Sequence, residues 1–195
     1  MEKGLSYPDK AVLTNANEHD RGQLEVFVDD KECMYVFDRG YLDYGRFDQM
    51  TEDGYFFVTR LRKNAVVRVL ESFSLLEDSP VFSDEMVVIG TPQNRSVNVF
   101  RLLKLHDTKR NELHLLTNRF DMDADEIAEI YQSRWAIELF FKWMKQHLNI
   151  KKFFGHSEQA VHHQVYVAMI VYCLNVLAQL NTNSERRVTY KLVAI

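Results

Sequence analysis

The sequence contains 195 residues, of which 46% are hydrophobic, and its formal net charge is −4. A chain of this length buries roughly 70% of the surface that it exposes when unfolded, so one well-packed core is expected. Two cysteines, Cys33 and Cys173, are too few for a disulfide framework or a thiolate zinc site, which favours a reducing, cytoplasmic compartment. The acidic net charge argues against a protein that binds nucleic acid through a uniformly basic surface.

The first part of the chain alternates short apolar runs with helical patterns. Ala11–Thr14 is a candidate strand, Arg21–Val28 a candidate helix, and Met34–Phe37 a compact apolar strand that Asp38 ends. A helix is then predicted from Asp43 to Thr51.

Gly54 is expected to terminate that helix, and Tyr55–Leu61, rich in aromatic and β-branched residues, is predicted to form a strand. Strands and helices therefore alternate along the first third of the chain. This order predicts an α/β fold with a partly parallel sheet.

Between Val66 and Leu116 the pattern changes to alternating apolar and polar residues. Turn-rich breaks at 78–80, 90–92 and 109–111 separate the segments. The segment is therefore predicted to be an inserted antiparallel, β-rich subdomain.

The last third is predicted to be helical. A long helix is expected to start among the acidic residues Asp121–Asp125 and to run to about Asn149. A second helix is expected after Gly155, with Ser157 as its N-cap and residues 160–180 buried against a sheet. Polar residues interrupt its apolar run, so it is predicted to be a core helix and not a membrane span, for which about 20 nearly uninterrupted apolar residues are needed.

Four polar side chains of the predicted long helix would share one face. At 100° per residue, Tyr131, Arg134, Glu138 and Lys145 fall within an arc of roughly 60° beside the apolar face. A carboxylate next to two cations suits a site for a divalent metal and phosphodiester oxygens. The alternative is an ordinary helix in which Arg134 and Glu138 form a weak ion pair one turn apart.

Asp38 favours the first interpretation, because it directly follows an apolar strand and open α/β sheets place their sites at the carboxyl ends of strands. The alternative is an Asp that only starts a turn with Gly40. If the helix packs across that strand end, Asp38 and Glu138 could bind Mg²⁺ together.

The sequence also contains two clusters of basic residues. They do not decide whether the chain binds DNA, since a cluster of charges is usually a solvated surface. Their residues are Arg60, Arg62, Lys63 and Arg68 in the first, and Arg134, Lys142, Lys145, Lys151 and Lys152 in the second.

The segment Tyr131–Lys145 resembles the Tyr-Arg-Glu-Lys signature of DDE transposases of the insertion-sequence-four family, with two, three and six intervening residues. The segment Phe37–Tyr41 resembles the part of that family around its second catalytic Asp. The resemblance extends over nearly the whole chain, because a strand-rich insertion also lies between the two segments.

The resemblance implies a ribonuclease-H-like catalytic core, Mg²⁺ or Mn²⁺ as cofactor, and cut-and-paste transposition in the bacterial cytoplasm at the nucleoid. The implied partners are DNA, as transposon ends and target, and a second subunit in a homodimer of the full-length protein, with no membrane. The implied site residues are Asp38 and Glu138 as catalytic metal ligands, Tyr131, Arg134 and Lys145 at DNA phosphates, and Trp135 either against a displaced base or in the core.

One departure from the family concerns its first catalytic Asp, which lies on the opening strand of the sheet. Nothing before Ala11 resembles a strand that ends in Asp. We therefore expect an incomplete core at residues 1–62, the β-rich insertion at 63–118, completion of the core by two helices at 119–182, and a C-terminal tail at 183–195.

Three functions are compatible with the sequence. The first is DNA strand cleavage and transfer, with little activity expected from this chain alone. The second is a non-catalytic fragment that binds DNA or transposase and lowers transposition. The third is an α/β nuclease relative with no role in transposition.

Overall fold

The computed structural model describes residues 24–38, 43–75, 77–147, 155, 157–180 and 190–192. In chain order the elements are α1 (Leu24–Phe27), β1 (Met34–Phe37), α2 (Tyr44–Glu52), β2 (Phe56–Arg60), β3 (Val67–Ser72), β4 (Val81–Thr91), β5 (Asn94–Arg95), β6 (Phe100–His106), β7 (Glu112–Thr117), α3 (Ala124–Gln132), α4 (Trp135–His147), α5 (Glu158–Leu180) and β8 (Tyr190–Leu192). The predicted α/β class is confirmed. The candidate strand at 11–14 lies outside the described residues.

One sheet of eight strands connects all the β elements, in the order β3-β4-β6-β7-β2-β1-β8, with β5 paired to β4. Strand β1 pairs in parallel with both β2 and β8, and the other pairings are antiparallel. The sheet is therefore mostly antiparallel, with its parallel part around β1.

Helix α2 connects the parallel strands β1 and β2. Its start is fixed by Asp43, whose carboxylate accepts a hydrogen bond of 3.3 Å from the Arg46 backbone N–H. Gly54 follows the helix with φ of +80°, a left-handed conformation in which glycine has no steric penalty. The helix expected at 43–51 is thus confirmed, and the crossover brings the carboxyl ends of β1 and β2 to the same edge of the sheet.

Side chains of β1 alternate between two hydrophobic clusters, one on each face of the sheet. Tyr35 and Phe37 belong to the cluster on the α2 side, where Phe47 stacks on Phe57 at 4.8 Å between ring centroids. Met34 and Val36 belong to the cluster on the α3 side. All four residues of β1 are buried, as the sequence predicted for a compact apolar strand.

Strands β3 to β7 form the antiparallel segment that the alternating pattern predicted. They extend the same sheet as β1 and β2, because β7 pairs with β2. A buried ion pair links β4 to β6: the Arg101 guanidinium donates to Asp84 at 2.9 and 2.7 Å. The same guanidinium donates to the Met122 carbonyl at 2.6 Å and so ties these strands to the segment before α3.

The expected long helix from 121–125 to about 149 is broken into α3 and α4 at Ser133 and Arg134. The Ser133 hydroxyl bonds to the Ile130 carbonyl, and the Arg134 N–H bonds to the Tyr131 carbonyl, only three residues back, at 3.1 Å. Serine back-bonding and a tightened last turn both end an α-helix, which periodicity alone does not reveal. The four polar residues expected on one helical face therefore do not lie on one helix.

Helix α5 begins as predicted, with the Ser157 hydroxyl accepting from the Ala160 N–H at 3.2 Å. The expectation that it is buried was wrong for the described structure, because six large apolar side chains between Tyr166 and Leu177 are more than two-fifths exposed. By length and composition alone, Glu158–Ala178 could cross a membrane, but one such helix is weak evidence for a span.

The described elements form two compact units. The sheet, with α1, α2 and α3, belongs to one unit, and α4 with α5 belongs to the other; the division falls between Arg134 and Trp135. Within the second unit, Phe140 and Trp143 of α4 pack edge-on against Tyr172 of α5, at 4.8 and 5.1 Å between ring centroids. The domain boundaries expected from the sequence stay a prediction.

Candidate active site

Asp38 lies immediately after β1, at the carboxyl end of the parallel strand pair. It follows four fully buried residues, yet its own side chain is 45% exposed. Because side chains alternate along a strand, Asp38 is expected on the same face of the sheet as Met34 and Val36, the residues that face α3. The carboxylate is therefore held at the edge of the core, where solvent reaches it.

Tyr131, on the last turn of α3, is packed into the same cluster and is only 7% exposed. Burial raises the pKa of its hydroxyl above the usual value of about 10, and the negative charge of Asp38 raises it further; the positive charges of Arg134 and Arg60 act in the opposite direction. The hydroxyl therefore stays protonated at physiological pH and is available as a hydrogen-bond donor.

Arg134 lies two residues after the end of α3 and is close to both residues. Its Nη1 lies 3.9 Å from Oδ2 of Asp38, and its guanidinium lies 5.9 Å from the centre of the Tyr131 ring. At 3.9 Å between partly exposed groups, the ion pair contributes little stability, about 1 kcal/mol or less. Its consequence is electrostatic: a fixed positive charge stands beside the carboxylate.

Arg60 is a residue of this site that the sequence did not single out. It ends β2, and Phe37 and Thr59 are paired in parallel register, so Asp38 and Arg60 follow the pair as lateral neighbours. A signal was present, since Asp38 directly follows one short apolar strand and Arg60 is the last residue of the next. Without knowing that those strands pair in this register, however, Arg60 was one of four clustered basic residues.

The other predicted site residues lie on α4 and are described within their own unit. Glu138 and Lys145 are exposed and seven residues apart, two helical turns, so they share a face of α4. Trp135 begins the helix and is 54% exposed. Its two predicted roles, against a displaced base or in the core, both stay predictions.

The structure thus brings Asp38, Tyr131 and Arg134 together, and it places Trp135, Glu138 and Lys145 along one helix. A cation shared by Asp38 and Glu138 stays a prediction. Within the described ranges, no group of three or more His, Cys, Asp or Glu side chains is assembled in a way that could hold a metal ion.

The comparisons with known proteins agree with one another. The family described as "Transposase DDE domain" matches residues 5–174. A protein from Geobacillus stearothermophilus, named as a transposase for insertion sequence element IS5377, is 34% identical over 172 residues, which cover 87% of this chain and 45% of the relative. A protein from Sinorhizobium fredii, named as transposase y4zB, is 33% identical over 175 residues, covering 87% of this chain and 49% of the relative.

A third relative, from Synechocystis sp., is named as a transposase for insertion sequence element IS4SA and is 29% identical over 177 residues. The match covers 86% of this chain and 48% of that protein. The chain therefore spans about half the length of the curated relatives that it matches. With a family match over most of its length, the chain belongs to the transposases with a DDE domain.

Proposed function

We propose that this chain contributes two carboxylates, Asp38 and Glu138, to the active centre of a transposase that cuts and joins DNA strands in cut-and-paste transposition of an insertion sequence. The observation that supports it best is the grouping of Asp38, Tyr131 and Arg134 at the carboxyl end of β1, in a chain of the DDE family. A carboxylate with a cation and a hydroxyl donor beside it suits a phosphodiester substrate.

Each of the two proposed ligands has the chemistry that a hard divalent cation prefers. Asp38 offers carboxylate oxygens on a side chain that is 45% exposed, and Glu138 is exposed on α4. Mg²⁺ is commonly bound by one or two carboxylates and keeps several waters, and Mn²⁺ accepts the same ligands. When bound, the metal would supply activation of the attacking oxygen and neutralisation of charge at the phosphate.

The proposed reaction has two steps at phosphorus. Water attacks the phosphodiester at the element end, the bond from phosphorus to the 3′-oxygen breaks, and a free 3′-hydroxyl results. That hydroxyl then attacks a phosphodiester of the target and displaces its 3′-oxygen.

In both steps the chain's own residues position the DNA. Tyr131 would donate its protonated hydroxyl to a phosphate oxygen, and Arg134 would hold the charge of the same phosphate. Lys145 would bind a phosphate along α4, and Trp135, with its exposed ring, would stack on a displaced base.

Several wider features belong to the same proposal. They are a ribonuclease-H-like core built around the parallel β1–β2 pair, membership of the insertion-sequence-four family, transposon-end and target DNA as partners, a homodimer, and a cytoplasmic location at the nucleoid. Because we assign only two of the metal-binding carboxylates, we expect little strand cleavage from this chain alone.

Metal binding tests the proposal without requiring catalysis. Mn²⁺ is titrated into the purified chain, in the presence of a short DNA duplex, and the free ion is followed by electron paramagnetic resonance. Asp38→Asn and Glu138→Gln should each weaken Mn²⁺ binding by about tenfold or more, because each removes an anionic ligand.

Glu126→Gln is the matched control, since Glu126 is an exposed carboxylate in the first turn of α3, away from Asp38 in sequence and on a different helical turn from Tyr131. It should leave Mn²⁺ binding unchanged. Equal Mn²⁺ binding by the wild type and by Asp38→Asn and Glu138→Gln would refute the proposed metal site.

The second candidate function is a non-catalytic module that lowers transposition by occupying DNA ends or by mixing with a full-length transposase. The exposed apolar side chains of α5, which suit contact with another protein, favour it. Co-expression of the chain with an active element should then lower the transposition frequency. The chain carrying Glu138→Gln should lower the frequency equally, because occupying a DNA end needs no metal chemistry. An unchanged frequency would argue against interference.

A further inference from the structure

Arg60 has a defined position beside the candidate active site. It is the last residue of β2, next to Asp38 at the end of the parallel partner β1. Arg60 is two residues after Val58, so the two side chains leave the same face of the sheet. Val58 packs in the cluster on the α3 side, which is the face that also carries Asp38 and Tyr131. The pairing of β2 with β1, and of Arg60 with Leu115 of β7, therefore fixes the face of the sheet from which the Arg60 side chain leaves.

The electrostatic surroundings agree with that direction. The positive charge of Arg60 lowers the pKa of the Tyr131 hydroxyl, as does the charge of Arg134, so both guanidinium groups act at the same point. Among the residues that the structure describes, Arg60 has no side-chain hydrogen bond or ion pair of its own. Half-buried arginines are normally paired, because their desolvation is otherwise uncompensated.

We propose that Arg60 binds a phosphate oxygen of the DNA substrate beside Asp38, so that Arg60 and Arg134 both contact the DNA backbone next to the carboxylate that is proposed to bind metal. The proposal rests on the proposed function and extends it by adding a second arginine contact. An arginine fork matches two oxygens of one phosphate, which a lysine does not, so the contact would orient the strand as well as attract it.

The experiment measures binding of a fluorescein-labelled 20-base-pair duplex to the purified chain by fluorescence anisotropy, in Mg²⁺, at a series of salt concentrations. Arg60→Ala should weaken binding about tenfold, since it removes one charge-assisted contact. It should also reduce the slope of log K against log salt by about 0.9, the value for one phosphate on B-form DNA. Arg60→Lys should keep the salt slope and lose part of the affinity.

Arg68→Ala is the matched control. Arg68 belongs to the same basic cluster in the sequence, and its substitution by Ala removes the same charge. It is exposed on β3, which lies four strand spacings, or about 19 Å, across the sheet from β2. It should leave the salt slope and affinity close to those of the wild type.

The outcomes separate this inference from the function on which it rests. If the wild type binds the duplex and Arg60→Ala behaves like Arg68→Ala, Arg60 is not a phosphate contact, while the function proposed for Asp38 and Glu138 stands. If the wild type does not bind DNA at all, both proposals fail. Circular dichroism of each variant checks that the sheet is intact, and Arg60→Lys provides the test if Arg60→Ala does not fold.

Discussion

The buried pair of Asp84 and Arg101 offers a sharp test of how the β-rich strands support α3. Asp84 on β4 and Arg101 on β6 are joined by two hydrogen bonds, and their side chains are only 3% and 9% exposed. Arg101 also donates to the carbonyls of Arg119 at 3.3 Å and Met122 at 2.6 Å. One guanidinium therefore connects two strands to the segment from which α3 begins.

Arg101→Met keeps the aliphatic volume and removes the charge. It leaves the Asp84 carboxylate buried without a cation, which costs about 3 to 5 kcal/mol, and the two carbonyls lose their donor. The double variant Asp84→Leu/Arg101→Met lacks both charges. Its remaining loss of stability comes from the two carbonyls without a donor, about 1 to 2 kcal/mol. The double variant should therefore be more stable than Arg101→Met.

Hydrogen exchange of the amides of β4 and β6, followed by mass spectrometry, measures the free energy of opening of this unit. Arg101→Met should speed exchange by between about a hundredfold and a few thousandfold. Fluorescence of the two tryptophans, Trp135 and Trp143, both on α4, reports the other unit separately.

The ion pair of Lys104 and Glu85, also between β6 and β4, is a control with the same strands. Its atoms are 3.0 Å apart and its side chains are 25% and 15% exposed. Lys104→Met should cost less, about 1 kcal/mol, because water can still solvate Glu85. If Arg101→Met changed exchange no more than Lys104→Met, burial of the Asp84–Arg101 pair would not be what stabilises these strands.

Three further predictions concern other parts of the sheet unit. Asp48→Ala should destabilise the chain by about 2 to 3 kcal/mol in urea unfolding, because the buried Asp48 carboxylate accepts from the backbone N–H of Asn98 at 2.8 Å and from its side-chain amide at 3.1 Å; Asp48→Asn should recover part of the loss. Gly90→Ala should also destabilise it, by thermal unfolding, since φ is +98° and a Cβ there would overlap the Asn94 carbonyl. Burial raises the pKa of the Tyr131 hydroxyl, so the protonated hydroxyl stabilises the fold fully below about pH 10. This stabilisation is lost as the pH rises through the pKa of the folded state. Tyr131→Phe should therefore lessen the loss of stability in alkali.

Much of the local structure could be predicted from the sequence. The apolar run Met34–Phe37 is a buried strand, Asp43 and Gly54 delimit α2, and Ser157 caps α5, because each depends on neighbours within about four residues. The alternating pattern between 66 and 116 gave antiparallel strands for the same reason. Helix α3 was expected to continue, since the hydrogen bonds of Ser133 and Arg134 that end it do not disturb the apolar periodicity.

The candidate site was only partly determined by the sequence. Spacing and resemblance identified Asp38, Tyr131, Arg134 and Glu138 as candidates, because residue type and separation along the chain are visible there. Whether Asp38, Tyr131 and Arg134 come together was decided by the packing of α3 against the end of β1.

Arg60 joined the site through tertiary structure alone. Its position next to Asp38 depends on the register of two parallel strands that a helix separates in sequence, and a shift of one residue would send its side chain to the opposite face. The sequence therefore determined which residues are candidates for binding metal and phosphate, and the hydrogen-bonded register of the sheet decided that Asp38 and Arg60 lie beside one another.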